Sequence, residues 1–523
     1  MTELLIPPPE TAATRAPARY RFGAPPWLLA VAALCAATAA IPLVYLVVRT
    51  TEAGLTELLD TLVRPRVLQL TINTALLAAA VTLSALVLGT ICAWILTRIR
   101  LPFQRTLLLV SALPLAVPSY LAAYGWLVWF PHLNGFWASW FVMTMVCTPY
   151  VTLPVAAALR GASADLELVA RTLGRGPLRA FAAATWPQIR PAAIAGALLV
   201  CLYSLSDFGL VSMLRLQTLT WGINAAYGAS FDRNQAALLA LVLVVLALVV
   251  VAGERRSRRQ VASVPGRSTM PSRAPGRNGP FYVAVLVAAP LAGVVVPVVG
   301  LLSRLIEAET LRAIDVPRLL EAVGSTLGIA LAAAVVAVLV ALPIAALAAR
   351  YSGRLVAVIE AVGFLGHALP GIVVGLSLVF FALAAVPMFY QTSVVLVFAY
   401  VVLFMPRAIG SVRSGIAAVP TSLSDVSRML GLSPFQAWWR VTARLALPGI
   451  AIGALLVAIS AMKELPATLL LRPTSVSTLA TELWSRTALF EFGAAAPYAA
   501  ALVLVAMVPA VLLSGIRGTA REN

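Results

Sequence analysis

The sequence predicts an all-α, polytopic membrane protein of about twelve transmembrane helices in two homologous six-helix halves. Three observations lead there: a composition too apolar for water, a series of apolar stretches long enough to cross a bilayer, and an internal repeat. Hydrophobic residues make up 61% of the 523 residues and charged ones only 11%, with a mean hydropathy of +0.95. A soluble domain carries about 25% charged residues, so lipid is the solvent. In lipid only helices and closed barrels satisfy their own backbone groups. The stretches run to about 20 residues or more without the period-2 alternation of barrel strands, which selects helices.

Residues 1–26 are Pro-rich and place Glu3 and Glu10 ahead of Arg15, Arg19 and Arg21. A signal peptide would begin with a short basic region, so this segment is expected to be a disordered cytoplasmic tail. The first half, 27–252, holds expected spans at 27–48, 70–97, 105–130, 136–159, 190–213 and 235–252. Residues 253–280 are rich in Arg, Ser, Pro and Gly and read as a flexible cytoplasmic linker. The second half, 281–515, holds spans at 281–303, 324–349, 355–386, 393–412, 448–471 and 493–513. Pro114, Pro118 and Pro370 fall inside spans and are expected to kink them.

Charge sets the orientation. Lys463 is the only lysine, so 37 of the 38 basic residues are Arg. The N-terminal tail, loops 98–105, 160–190, 350–354 and 407–444, the linker and the C-terminal tail carry 27 Arg against seven acids. The opposite loops carry ten of each. Basic residues collect on the cytoplasmic side, so both termini are expected there. The net charge of +18 thus reflects topology, not a nucleic-acid partner. Cys35, Cys92, Cys147 and Cys201 lie in or beside apolar runs without a CxxC pair and read as small apolar residues. His132 and His367 lack metal-ligand spacing.

The repeat is readable residue by residue. Asn73-Thr74 matches Ser325-Thr326, Arg98 matches Arg350 and Pro118 matches Pro370 at an offset of 252. Gly174 matches Gly431, Pro177 Pro434, Ala180 Ala437, Thr185 Thr442, Pro191 Pro448 and Gly196 Gly453 at an offset of 257. Six spans per half make the repeat parallel, with a solute path expected between the halves.

After the fourth span, the first half reads LELVARTLGRGPLRAFAAATWPQIRP (166–191) and the second SDVSRMLGLSPFQAWWRVTARLALP (424–448). These loops resemble the cytoplasmic "EAA" loop of permease subunits of ABC importers. The resemblance implies a type I ABC importer fold and a short helix that breaks at Gly and docks on an ATPase. Coupling loops are therefore expected at 163–189, through Glu167, Ala170, Gly174 and Pro177, and at 420–446, through Asp425, Gly431 and Pro434. Both depart from the pattern: Leu168 stands where the acid usually lies, and Asp425-Val426-Ser427 replaces Glu-Ala-Ala. A phosphate-binding P-loop needs GxxxxGK[ST], and Lys463 sits between Met462 and Glu464. The chain is expected to bind no cofactor and to catalyse nothing itself. The resemblance implies ATP on two copies of a separate ATPase, an extracytoplasmic solute-binding protein, surrounding lipid, and a bacterial inner membrane.

SLSDFGLVSMLRLQTLT (204–220) and AMKELPATLLLRPTSVSTLATELW (461–484) resemble the ferric-iron branch of this family. Asp207 matches Glu464 at the offset of 257. Two carboxylates at one depth are a candidate metal site and, with Lys463, a candidate path, since an acid in a span costs ~2.5–3.5 kcal/mol and faces a partner or a water-filled cavity. The opposed reading is structural: Lys463 neutralises Glu464, and Asp207 caps a helix. Glu360 is expected to make a helix-end contact near Arg354. Thiamine is the rival cargo, favoured by an aromatic cavity. A 6+6 secondary transporter is the rival of another class, and a non-transporting scaffold would leave the paired loops without a role.

Overall fold

The computed structural model describes residues 23–52, 60–228, 232–258, 273–307, 309–310 and 314–522. The tail 1–22 and linker segment 259–272 lie outside the described residues, and with them most of the two segments expected to be loose.

The elements fall into two matching series. The first comprises α1 (Pro26–Glu52), α2 (Pro65–Arg98), α3 (Gln104–Leu115), α4 (Ser119–Trp129) and α5 (Gly135–Gly161). It continues with α6 (Ala164–Thr172), α7 (Pro177–Ser206), α8 (Gly209–Met213), α9 (Leu219–Gly228) and α10 (Arg233–Arg258). The second comprises α11 (Gly276–Leu305), α12 (Val316–Arg350), α13 (Arg354–His367), α14 (Gly371–Ala385) and α15 (Ser393–Ala418). It ends with α16 (Thr421–Met429), α17 (Pro434–Met462), α18 (Pro466–Leu471), α19 (Leu479–Ala488) and α20 (Phe492–Glu522). Each element has its counterpart ten labels later.

Nine helices among the described residues are long and apolar enough to cross a membrane, or up to eleven if each bent pair counts as one span. The apolar stretch Phe492–Met507 of α20 is shorter and stands where the twelfth span is expected. Pro118 and Pro370 do more than kink. Each leaves the helix in an extended conformation (ψ 145° and 142°), and the chain turns by 91° between α3 and α4 and by 103° between α13 and α14. Without an N–H, proline cannot continue the ladder, and it pushes the residue before it out of the helical region.

Other expected spans shift. The stretch 190–213 ends as a helix at Ser206, and 448–471 ends at Met462; a short helix follows each break. The stretch 393–412 continues to Ala418, so Arg407 and Arg413 belong to a helix and not to a cytoplasmic loop. Glu360 pairs with Arg413 across to α15, not with Arg354 on its own helix. The last residues of the linker are ordered: Arg273 exchanges backbone hydrogen bonds of 2.8 Å with Arg98 and Arg100. All four cysteines are free thiols, Cys92 and Cys147 buried.

The core of each half is a three-helix cluster, α2/α5/α7 and α12/α15/α17. Lipid offers no hydrophobic drive between helices, so close packing of small residues holds them. At the α15–α17 crossing, a Cβ on Gly449 would lie 2.7 Å from the Cα of Gly415, closer than carbon atoms approach. Thr74 and Thr326 do matching work. Each hydroxyl donates to the carbonyl four residues back and accepts the N–H of Leu219 or Leu479 (2.8 and 2.9 Å), tying α2 to α9 and α12 to α19.

The first helix of each series crosses to the other half. α1 packs chiefly on α12, α13 and α14, and α11 on α3, α4 and α5. Tyr45 of α1 meets Phe381 of α14 edge-on, and Trp126 of α4 donates to the Ala292 carbonyl of α11 at 2.9 Å. The two halves are laced together.

Candidate functional site

Two regions carry the chemistry. The first is the pair of loops around α6 and α16. Asp165 and Glu167 sit in the first turn of α6, where the helix dipole favours negative charge. α6 closes on Gly174, with φ +81°, and α16 on Gly431, with φ +86°. Gly174 N–H donates to Arg171 and Arg175 N–H to Ala170; Gly431 donates to Arg428 and Leu432 to Ser427. This is a Schellman ending, in which a left-handed residue lets the chain reverse and only glycine avoids a penalty. Pro177 and Pro434 then start α7 and α17, their missing N–H cost-free at that position. Both restarts pass through a π-turn, at Phe181–Thr185 and Trp438–Ala443.

Glu167 is buried. Its carboxylate accepts from Arg171 and from Thr185 at 2.6 Å each and lies 3.7 Å from the buried Arg98 at the end of α2. The offset of 257 carries Glu167 to Ser424, not Asp425. Ser424 is buried 3.1 Å from Thr442, as Glu167 is against Thr185. Asp425 is exposed. Ala170 and its counterpart Ser427 are both buried, and their carbonyls close the two helices. The outward faces are apolar, with Leu173 76%, Met429 87% and Leu430 79% exposed.

The second region is a cavity of about 520 Å³ lined by both halves. The breaks at Pro118 and Pro370 face it, as do the ends of α7 and α17 and the middles of α5 and α15. Asp207 and Glu464 both line it. Asp207 accepts from the Leu210 N–H at 2.9 Å and from the Ser119 hydroxyl. Glu464 accepts from the N–H groups of Ala467 and Thr468 at 3.0 Å and from the Thr468 hydroxyl at 2.8 Å. The longer Glu464 has room because Gly371 replaces Ser119: a Cβ there would sit 2.6 Å from its Oε1. Each carboxylate anchors the turn after its helix, so a direct ligand role requires these bonds to be exchanged.

Lys463 does not neutralise Glu464; its ammonium donates to the Ala116 carbonyl at 3.3 Å, bridging α17 to the α3–α4 break of the other half. It lies deep in the bundle yet keeps accessible surface because it faces the cavity. Arg407 of α15 also lines the cavity, 5.0 Å over the Phe404 ring. From the sequence it falls both in the span 393–412 and in the loop 407–444, and the helix decides for the first. The signal was present, since Pro406-Arg407 matches Pro149-Tyr150 at the offset of 257, inside a span. Tyr150, Tyr203 and His367 complete the polar lining. Among the described residues, no group of three or more His, Cys, Asp or Glu could hold a metal ion. His132 stands apart in the turn between α4 and α5, its carbonyl accepting from Asn134.

Comparison with known proteins gives two kinds of match. The family model for the binding-protein-dependent transport system inner membrane component matches residues 85–255 and 341–518, one region per half. The chain is 34% identical over 502 residues to a Fe(3+)-transport system permease protein of Haemophilus influenzae, covering 94% of this chain and 98% of that one. It is 30% identical over 233 residues to a molybdenum transport system permease protein of Mycobacterium tuberculosis, covering 41% and 87%. A sulfate transport system permease protein of Salmonella typhimurium is 29% identical over 187 residues, covering 33% and 67%.

Proposed function

The chain belongs to the binding-protein-dependent transport system inner membrane components, and on that premise we propose that it is the fused permease of an ATP-driven ferric-iron importer. The observation that carries the cargo is the match to the ferric permease along nearly the whole of both chains; the molybdenum and sulfate permeases match less than half of this one. The family description supplies an inner-membrane transport role with a solute-binding protein. A secondary transporter is thereby set aside.

The mechanism follows from the two regions. One ATPase docks on the apolar face of α6 and a second on that of α16, on the cytoplasmic side where both termini lie. Closure of the ATPases pushes both loops. The Schellman turns and Pro-started helices are stiff levers, and the push passes into α2 through the Glu167–Arg98 contact and into the α7 and α17 cores. Packed helices have discrete arrangements and rock as rigid bodies, which opens the cavity to one side at a time. Asp207 and Glu464 hold the path-lining breaks in shape as this happens.

Thiamine has one observation in its favour, the aromatic lining of Tyr150, Tyr203 and Phe404. Against it stand Arg407 and Lys463 in the same cavity, which repel a cationic ring system. The test is radio-iron uptake into proteoliposomes holding the chain with its ATPase and binding protein, with thiamine as competitor. ATP-dependent iron accumulation that ignores thiamine, and that falls in D207N and E464Q, is expected. Thiamine accumulation without iron would overturn the cargo and leave the importer standing.

A further inference from the structure

The cavity holds two carboxylates and two cations, but the carboxylates are taken up by its own walls and the cations are left to face its contents. Both carboxylates are engaged by backbone N–H and hydroxyl donors. The two cations are differently placed. Arg407 lies over a phenyl ring, Lys463 donates to a single carbonyl, and among the described residues neither has an acidic partner. Both belong to the second half; Tyr150 and Ser206 stand at the matching places of the first. Cations facing a cavity within a membrane bundle are costly unless their occupant brings the counter-charge. A bare ferric ion brings the wrong sign. At about 520 Å³ the space is in the range of small-molecule sites and far exceeds a dehydrated ion.

Resting on the ferric reading above, we infer that iron crosses this cavity as an anionic complex. Ferric ion is held by carboxylate- or phosphate-type oxygens, and Arg407 and Lys463 grip those oxygens rather than the metal. Arg407 supplies a planar fork that matches such oxygens in pairs, and Lys463, at the end of the helix packed beside it, a point charge. Tyr150 and Tyr203 face them across the cavity as hydroxyl partners. The asymmetry is what the fused chain permits: one set of cations for one cargo.

The test uses the assembled transporter in proteoliposomes with radio-iron presented on radiolabelled citrate. In the wild type, both labels are expected to accumulate together in an ATP-dependent way, which needs no variant. R407Y and K463S, which install the first half's residues, are each expected to cut iron uptake about tenfold, the loss of one buried charge contact. R407K, which keeps the charge but not the fork, is expected to fall between R407Y and the wild type, and co-purification with the ATPase separates loss of grip from loss of assembly. Iron that enters from a phosphate-free medium without its citrate, or uptake at full rate in R407Y and K463S, overturns the inference while the ferric reading survives. No iron uptake in any form, with uptake of iron-free sulfate or molybdate instead, overturns both.

Discussion

The two halves of this chain repeat their backbone and diverge in their charges. Both have left-handed glycines, π-turns, proline breaks and threonine ties at matching places. At the loop around α6 and α16, however, the first half seats Glu167 between Arg98, Arg171 and Thr185, and the second seats Ser424 against Thr442. At the cavity, Tyr150 and Ser206 face Arg407 and Lys463. Backbone geometry is what transmits a push, so both halves need it. A homodimer would have had to carry every cavity charge twice; two linked halves need not.

The comparison can be broken most directly at the loops. Glu167→Ala strands the buried Arg98 and is expected to cost about 3 kcal/mol, since removing one partner leaves an uncompensated charge. Ser424→Ala removes a neutral hydrogen bond and is expected to cost about 1 kcal/mol. Thermal unfolding of the purified chain in detergent measures both, and equal losses would show that the difference is one of sequence only. A smaller contrast lies at the helix crossing, where Gly415 and Gly449 meet in the second half and Ala158 and Ala192 stand in the first. Gly449→Val is expected to lose about 1–3 kcal/mol through overpacking. Ala192→Val should stay within about 1 kcal/mol and accumulate normally in membranes.

The smallest effect is expected at Glu482. Glu482 of α19 sits between Arg318 at 3.0 Å and Arg486, where the first half has Gly222. Burial alone would raise its carboxyl, but hydrogen bonds from Arg318 and Ser477 and the charges of Arg318 and Arg486 hold it below its ordinary 4.5. A folded value below the unfolded one stabilises above about pH 4.5 and is lost as pH falls through the folded value. Acid unfolding of E482Q is therefore expected to be shallower than that of the wild type below pH 4.5. Parallel acid limbs would show that the Glu482 clamp contributes nothing.

Much of this was legible in the sequence because the relevant signals are local. Gly174 and Gly431 were readable as turn residues, and Pro118 and Pro370 as interruptions, because each acts on its own backbone. The sequence reading names Asp425 because an acid stands out there; the repeat, applied strictly, places Ser424 opposite Glu167, on the buried face. Arg407 counts with the loop 407–444 although it also falls inside the expected span 393–412, because its charge reads as a sign of the cytoplasmic side. A helix lining a cavity can carry a charge inward without losing its ladder.

The sequence by itself determined the class of solvent, the order of the spans, the twofold repeat and the local chemistry of turns and loops, all of which depend on residues near one another in the chain. Only the tertiary structure decided that α1 and α11 exchange between halves, that Asp207 and Glu464 are taken up by backbone donors, and that Arg407 and Lys463 share a cavity. Side chains that face lipid and side chains that face another helix are equally apolar. A membrane helix therefore bears little mark of its neighbour until packing chooses one.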